Sequence, residues 1–301
     1  MNGRPDAGFL LVDKPSGWTS HDVVAKVRNL LRIKKVGHAG TLDPMATGLV
    51  VVGVGRATRL LRFVQAAPKE YVAKAVFGVA TDSLDADGAI LERSEMDVSQ
   101  TDVEQAMTRF VGTIAQVPPW VSARKVGGRK LYELAREGVE IEREAREIEI
   151  YSLELVDFAP SSYPEVTFRT VCSTGTYVRT LGDDIAATLG GRAHLSALRR
   201  VRNGSLHVSA AVQISEIESA VKDEKVFDLV LTPRDGLPDV PEVIVNDDLA
   251  AGVSSGLSFP ATVVRAGLPD SGPVRIVTGD GRMIAMYRVD EGKVAPEVVI
   301  V

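Results

Sequence analysis

Only one cysteine, Cys172, occurs in 301 residues, so no internal disulfide can form, a usage that suits a reducing cytoplasm. The four histidines, at positions 21, 38, 194 and 207, are too scattered to build a zinc-ligand spacing around that single thiol, and no metal is expected. No run of 18 or more uncharged apolar residues is present, which excludes a membrane-spanning helix and any membrane partner. Residues 1–8 carry Arg4 and Asp6 and lack the apolar core of a secretory signal. Gly53-Val54-Gly55 follows an apolar run but has Thr58 where a dinucleotide fingerprint needs its third glycine. A P-loop and a zinc-deaminase signature are missing too. What is present is 45% hydrophobic and 25% charged residues, enough apolar material for a real core. The length suggests about two domains.

The formal charge of −5 hides a regional asymmetry. Residues 1–202 carry 27 Lys and Arg against 25 Asp and Glu, whereas residues 203–301 carry 8 against 15. Basic side chains also bunch: Lys26, Arg28, Arg32, Lys34 and Lys35; then Arg124, Lys125, Arg129, Lys130 and Arg136; then Arg192, Arg199, Arg200 and Arg202. Each cluster alone reads as a solvated helix face. Three in one part of the chain point to a polyanion, because clustered cations release the counterions of a phosphate backbone even on an acidic protein.

Along the chain, Phe9–Val12 reads as a short buried strand stopped by Lys14-Pro15-Ser16-Gly17. Thr19 or Ser20 caps a helix with Val23, Val24, Val27, Leu30 and Leu31 at helical spacing. Leu49–Val54 reads as a central strand, and a short helix runs from Thr58 through Val64. Strands are expected around Tyr71–Phe77, Ile148–Phe158 and Val166–Cys172. Residues 81–88, TDSLDADG, form a polar turn, and Thr101 to Glu104 reads as a capping box opening a helix to about Phe110. A further helix spans Thr176–Leu189 and ends at Gly190-Gly191. Helices mixed with strands in no regular βαβ order indicate an α+β fold with a mixed, largely antiparallel sheet and flanking helices. Pro233 to Pro241 reads as a domain boundary, giving a catalytic domain over 1–238 and a small β-rich C-terminal domain over 239–301. Strands in the latter are expected at Val243–Val245, Val274–Val277, Met283–Val289 and Val298–Val301.

The irregular stretch Gly37-His38-Ala39-Gly40-Thr41-Leu42-Asp43-Pro44-Met45-Ala46-Thr47-Gly48 is the strongest chemical candidate. Its glycines permit sharp turns or close approach to a ligand, and Pro44 pushes Asp43 toward an extended conformation. An acid on such a loop, just before a buried strand, is placed to face a cleft. The residues alone equally allow an Asx-turn or a cap.

HAGTLDPMATG, followed by an apolar strand and GVGRAT, resembles the catalytic loop of the TruB-type pseudouridine synthases. Further blocks agree in the family's order: LLVDKPSGWTSHDVV (10–24), KEYVAKAVFGVATDSLDADG (69–88), VSARKVGGRKLYELAREG (121–138), and CSTGTYVRTLGDDIAATLG (172–190) with AHLSALRRVRNG (193–204). The match covers roughly the first 205 residues. The resemblance implies a pseudouridine-synthase fold and isomerisation of uridine in the T-loop of tRNA, at the position conventionally numbered 55, without a cofactor. It implies a catalytic Asp43 paired with Arg179, and Tyr71 stacked on the uracil. His38 would enter the RNA loop to hold the target base out, and Leu198 would wall the uracil pocket. An insertion at about 118–147, with Lys125, Arg129 and Lys130 around a Gly127-Gly128 tip, would close on the T-arm. Lys14, Arg199 and Arg200 are assigned to phosphate contacts.

A carboxylate held ionised by Arg179 would keep activity well below neutral pH. Thr81, Asp82, Asp85 and Gly88 read as supporting turn residues and phosphate contacts. The β-rich tail is more acidic than a standard RNA-binding PUA domain. It resembles the shorter, divergent C-terminal domains of some bacterial members, suited to bracing the catalytic domain. The basic insertion favours a stand-alone monomeric enzyme with no obligatory protein partner. The competing readings are an RNA-binding folding helper and a guided synthase within a protein–RNA particle.

Overall fold

The computed structural model describes residues 7–119, 125–126, 129–130, 144–264 and 268–300, with backbone alone described at 125–126 and 129–130. The first half of the described chain runs β1 (Ala7–Lys14), α1 (Ser20–Leu31), β2 (Val36–His38), β3 (Thr47–Gly55), a 3₁₀ turn (Arg56–Leu60), α2 (Leu61–Ala66) and β4 (Lys69–Phe77). Next come β5 (Val79–Thr81), β6 (Ile90–Arg93), α3 (Gln100–Thr108), β7 (Gly112–Gln116), β8 (Lys125–Val126) and β9 (Arg129–Lys130). They are followed by β10 (Arg146–Ala159), β11 (Glu165–Cys172), α4 (Val178–Thr188), β12 (Ala193–Asn203), β13 (Leu206–His207) and α5 (Ile214–Lys222). The last elements are β14 (Glu242–Val245), α6 (Asp247–Ser254), β15 (Phe259–Pro260), β16 (Gly272–Thr278), β17 (Met283–Asp290) and β18 (Lys293–Val299).

The main sheet has the order β1-β3-β12-β4-β11-β10-β7, with β2 added to β3 and β13 to β12. It is antiparallel except where β12 runs parallel to β3. The expected α+β architecture is therefore present. The alternation in β4 is strict, with Lys69, Tyr71, Ala73, Ala75 and Phe77 buried and their neighbours half-buried. One face of the sheet is covered by α1, α3 and α4 through Val23, Val27, Leu181 and Ile185. Behind β1 and β3 lies a second sheet, β14-β16-β17-β18-β15, whose Val277, Met283, Met286 and Val298 pack under Phe9, Leu11, Leu49 and Val51. Arg56 and Arg59 donate to the carbonyls of Ile300 and Val299, and Arg62 pairs with Glu297, so the 3₁₀ turn and α2 grip the last strand.

Several boundaries differ from the sequence expectation. Strand β12 was not expected, because its Arg199, Arg200 and Arg202 break any apolar alternation and two bulges shift its register. The helix expected to be capped at Thr101 begins instead at Gln100, with Ser99 and Asp102 making the reciprocal capping box. The final strand starts at Lys293, not Val298, and α6, capped by Asn246, lies between strands expected to follow one another.

Gly48 lies in the parallel contact of β3 with β12, opposite Arg200, at φ +100°, and a Cβ there would sit 2.2 Å from the Arg200 carbonyl oxygen. Both the left-handed backbone and the clash with main chain penalise a side chain. Gly48→Ala is expected to cost more than about 1 kcal/mol of stability, read as a lowered denaturant midpoint. An unchanged midpoint would show that the two strands separate without cost.

Candidate active site

The loop that carries Asp43 is bedded on the β1–α1 turn. Lys14, with no exposed surface, donates its Nζ to the carbonyls of Pro15, Trp18 and Pro44, at 2.9, 2.5 and 3.1 Å. Gly17 N donates to the Pro44 carbonyl, and Ser20 Oγ, at the start of α1, accepts from Leu42 N at 2.8 Å. The segment 10–24 is thus the cradle of the loop, and Lys14 does not reach a phosphate-facing surface. Burial lowers its pKa to about 8, with the nearby Asp43 charge acting in the opposite direction.

Arg179 projects from the first turn of α4, whose preceding residue Tyr177 is held by Gln116 through both its N–H and its carbonyl. Its Nε lies 3.0 Å from Asp43 Oδ2, while Nη1 lies 2.9 Å from Asp85 Oδ2 and donates to the Ser83 carbonyl at 2.6 Å. The guanidinium is 4% exposed and Asp85 7%, whereas Asp43 keeps 35% of its side chain open to the cleft. One buried cation therefore serves two carboxylates, one of them facing outward. Asp85, in the TDSLDADG turn and read from the sequence as a turn support or phosphate contact, is the buried partner that shares Arg179 with Asp43. A second acid in a motif block, with one arginine nearby to neutralise both, was the signal available.

Burial pushes the Asp43 carboxyl above its usual range; the Arg179 charge opposes this, and the Asp85 charge adds to it. Burial and the Arg179 guanidinium thus act on the Asp43 carboxyl in opposite directions.

Asp43 opens into a cleft of about 260 Å³ lined by Thr41, Leu42, Tyr71, Leu198 and Arg200, with residues 173–179 opposite. Tyr71, Leu198, Asp43 and Arg179 thus converge, as the sequence suggested. His38, at the end of β2, does not line this cleft; it packs edge-on against His21 at 5.2 Å between ring centroids. Burial lowers its pKa, assisted by His21.

The members of the third basic cluster are paired with acids or buried. Arg199 makes a bidentate pair with Asp13, at 3.0 and 2.7 Å, and Arg202 and Arg192 pair with Glu70 and Asp183. Arg200, assigned to phosphate, is 1% exposed and lies under the loop. Acids distant in sequence supply partners that a local charge count cannot see. Lys125, Arg129 and Lys130 belong to a two-residue antiparallel ladder; their side chains, and the rest of 120–143, lie outside the described residues. Among the described residues no group of three or more His, Cys, Asp or Glu is arranged to hold a metal ion, and no helix is long and apolar enough to cross a membrane.

Comparison with known proteins gives a consistent picture. A model described as the TruB family pseudouridylate synthase N-terminal domain matches residues 28–178, and one described as the tRNA pseudouridylate synthase B C-terminal domain matches 179–237. The tRNA pseudouridine synthase B of Moorella thermoacetica is 42% identical over 288 residues, 94% of either chain. That of Symbiobacterium thermophilum is 46% identical, over 83% of this chain and 82% of its own. Among solved structures, a chain of a Cbf5-Nop10-Gar1 complex superposes with a TM-score of 0.78 at 26% identity, covering 98% of this chain and 85% of that one. On these matches, which follow the same blocks that build the cleft, the chain belongs to the TruB family of pseudouridylate synthases.

Proposed function

We propose that the protein isomerises uridine 55 in the T-loop of tRNA to pseudouridine, with Asp43, Tyr71 and Arg179 as its catalytic residues. The observation that carries this reading is an outward-facing carboxylate, 3.0 Å from a buried guanidinium, in a cleft walled by an aromatic ring and an apolar side chain. A base can reach such a cleft only after leaving its stack, and unstacking costs a few kcal/mol. We assign His38, beside the loop, to the space that the base vacates. The reaction breaks the N1–C1′ bond, turns the uracil, and forms a C5–C1′ bond; C5 loses its proton and N1 gains one. Attack of the carboxylate at C6, attack at C1′, and assistance of a glycal-forming elimination all require Asp43 ionised and aimed, which the Arg179 contact supports.

Residues 1–238 are read as the catalytic domain and 239–301 as a brace for it. The apolar packing of the second sheet beneath β1 and β3 supports that role, as does its acidity, which disfavours phosphate. We infer a cytoplasmic monomer with no obligatory protein partner, closing on the T-arm with its 118–147 insertion. The likeness to a chain from a Cbf5-Nop10-Gar1 complex favours a guided synthase as second reading. The relatives at 42% and 46% identity, named for tRNA, outweigh it.

The test uses unmodified tRNA transcripts tritiated at uridine C5. A single tritium per tRNA is expected to be released from the native transcript, and none from a transcript with cytidine at position 55. Release from the cytidine transcript would overturn the position. No release from either, with tRNA binding intact, would favour the folding helper; release only after addition of a guide RNA and partner proteins would favour the guided synthase.

A further inference from the structure

Among the described residues Arg200 heads the fully buried side chains by size. Its Nε donates to the Leu49 carbonyl at 2.7 Å and its Nη2 to the Gly40 carbonyl at 3.2 Å, so it ties the start of β3 to the catalytic loop. Among the described residues its hydrogen-bond acceptors are these carbonyls, and no carboxylate forms a salt bridge with it. Burying a cation without a counter-charge is costly, so its retention here calls for a reason beyond packing.

The register of β12 supplies one. Arg200 stands directly opposite Tyr71 on β4, and directly opposed residues project from the same face. The next residue, Val201, is taken up by a bulge, so that Arg202 falls opposite Glu70 and turns to the other face, where it pairs with that carboxylate. Without the bulge, Arg200 and Arg202, two residues apart, would share a face. The bulge therefore sorts one arginine inward to the cleft and the other outward. Lys14 and Lys69, both buried nearby, are lowered to about 8 by burial and partly by the Arg200 charge. Burial raises the pKa of the Tyr71 phenol, and the Arg200 charge acts against that rise.

We propose that Arg200 is the positioning residue of Tyr71: anchored on the Gly40 and Leu49 carbonyls and projecting from the same sheet face directly opposite Tyr71, it supports the ring at the cleft wall and so fixes the face presented to the base. The proposal rests on the reading that Tyr71 contacts the target uracil. It also explains why this position holds an arginine, whose planar fork reaches two carbonyls at once beside the Tyr71 ring, as a lysine does not.

Two readouts test it. Protein labelled with ¹³Cζ-tyrosine gives a Tyr71 signal, assigned by its loss in Tyr71→Phe. In Arg200→Lys and Arg200→Gln that signal is expected to shift while the other tyrosines stay in place. In single-turnover assays Arg200→Lys is expected to slow isomerisation by roughly 10²-fold with tRNA Kd unchanged. In a Tyr71→Phe background the same change should cost less than about 3-fold, because the two residues act as one unit. An unmoved Tyr71 signal, or rate losses that multiply in the double variant, would overturn the proposal. If neither Arg200 variant folds, Tyr71→Phe tests the pair from the other side: the Arg200 Nε–H resonance, assigned by through-bond correlation, must move, and a fixed resonance overturns the proposal. Should the wild type form no pseudouridine, the functional reading fails, while the two resonances still decide the Arg200–Tyr71 contact.

Discussion

Asp43→Asn is expected to remove isomerisation, by on the order of 10⁴-fold or more, while leaving the protein at least as stable as the wild type at neutral pH. The loss follows from chemistry: an amide in this place cannot act as an anionic nucleophile or base. The stability result follows from linkage. Burial raises the Asp43 pKa in the folded state, so the folded protein holds that proton more tightly than the unfolded chain does. The stabilising contribution of the protonated group is complete below the unfolded pKa and is lost as pH rises through the folded one. At neutral pH the ionised carboxylate is therefore a cost, and Asn removes it. Arg179 keeps Asp85 as its counter-charge at 2.9 Å, so no buried cation is stranded. The same shift sets the acid limb of the wild-type single-turnover rate: activity should fall with decreasing pH at a value above the ordinary carboxylate range. Tritium release and thermal melts of both proteins check this. A clear drop in melting temperature for Asp43→Asn would show that the Asp43–Arg179 pair stabilises the fold. An acid limb at or below the usual aspartate value would show that the ion pair wins over burial.

The parts of this architecture that could be read from the sequence are those written in local pattern. The apolar runs of β1 and β3, the strict alternation of β4 and the helical spacing of α1 each fix an element with its neighbours in the chain. The motif blocks then named Asp43, Tyr71, Leu198 and Arg179, which converge on one cleft. What escaped was written in long-range pairing. Strand β12 hides behind three arginines whose partners, Asp13, Glu70 and the carbonyls of Gly40 and Leu49, lie more than a hundred residues away. For the same reason a run of basic residues gives no sign in the sequence that its members are paired or buried. Lys14 misled in a similar way: a charged side chain next to a turn reads as solvated, and the catalytic loop adds the Pro44 carbonyl to the two of its own turn that bury it. Asp85 was visible as a residue and invisible as a role, since its significance depends on sharing Arg179 with a residue in a separate loop.

Arg179→Met is expected to lower stability by about 3–5 kcal/mol and to abolish activity, the larger structural effect of the two ends of this network. Removing the guanidinium leaves Asp43 and Asp85 facing each other without a cation, and Asp85 is only 7% exposed. Such a pair responds by taking up a proton, so the Asp43 pKa must rise further: the attraction of Arg179 is gone and the repulsion from Asp85 remains. The stability loss should therefore shrink at acid pH, where one carboxyl is neutral, and grow toward alkaline pH. Arg179→Lys separates charge from shape. A single ammonium keeps the counter-charge but does not reproduce the spread by which Nε meets Asp43 while Nη1 meets both Asp85 and the Ser83 carbonyl. It should recover most of the stability and little of the rate, because an ionised but unaimed carboxylate is a poor catalyst. Chemical denaturation at several pH values, alongside single-turnover rates, gives both quantities from the same proteins. If Arg179→Met were as stable as the wild type, the buried cation would carry no structural load. If Arg179→Lys restored the rate, charge alone would suffice and the fork geometry of the guanidinium would be irrelevant to Asp43.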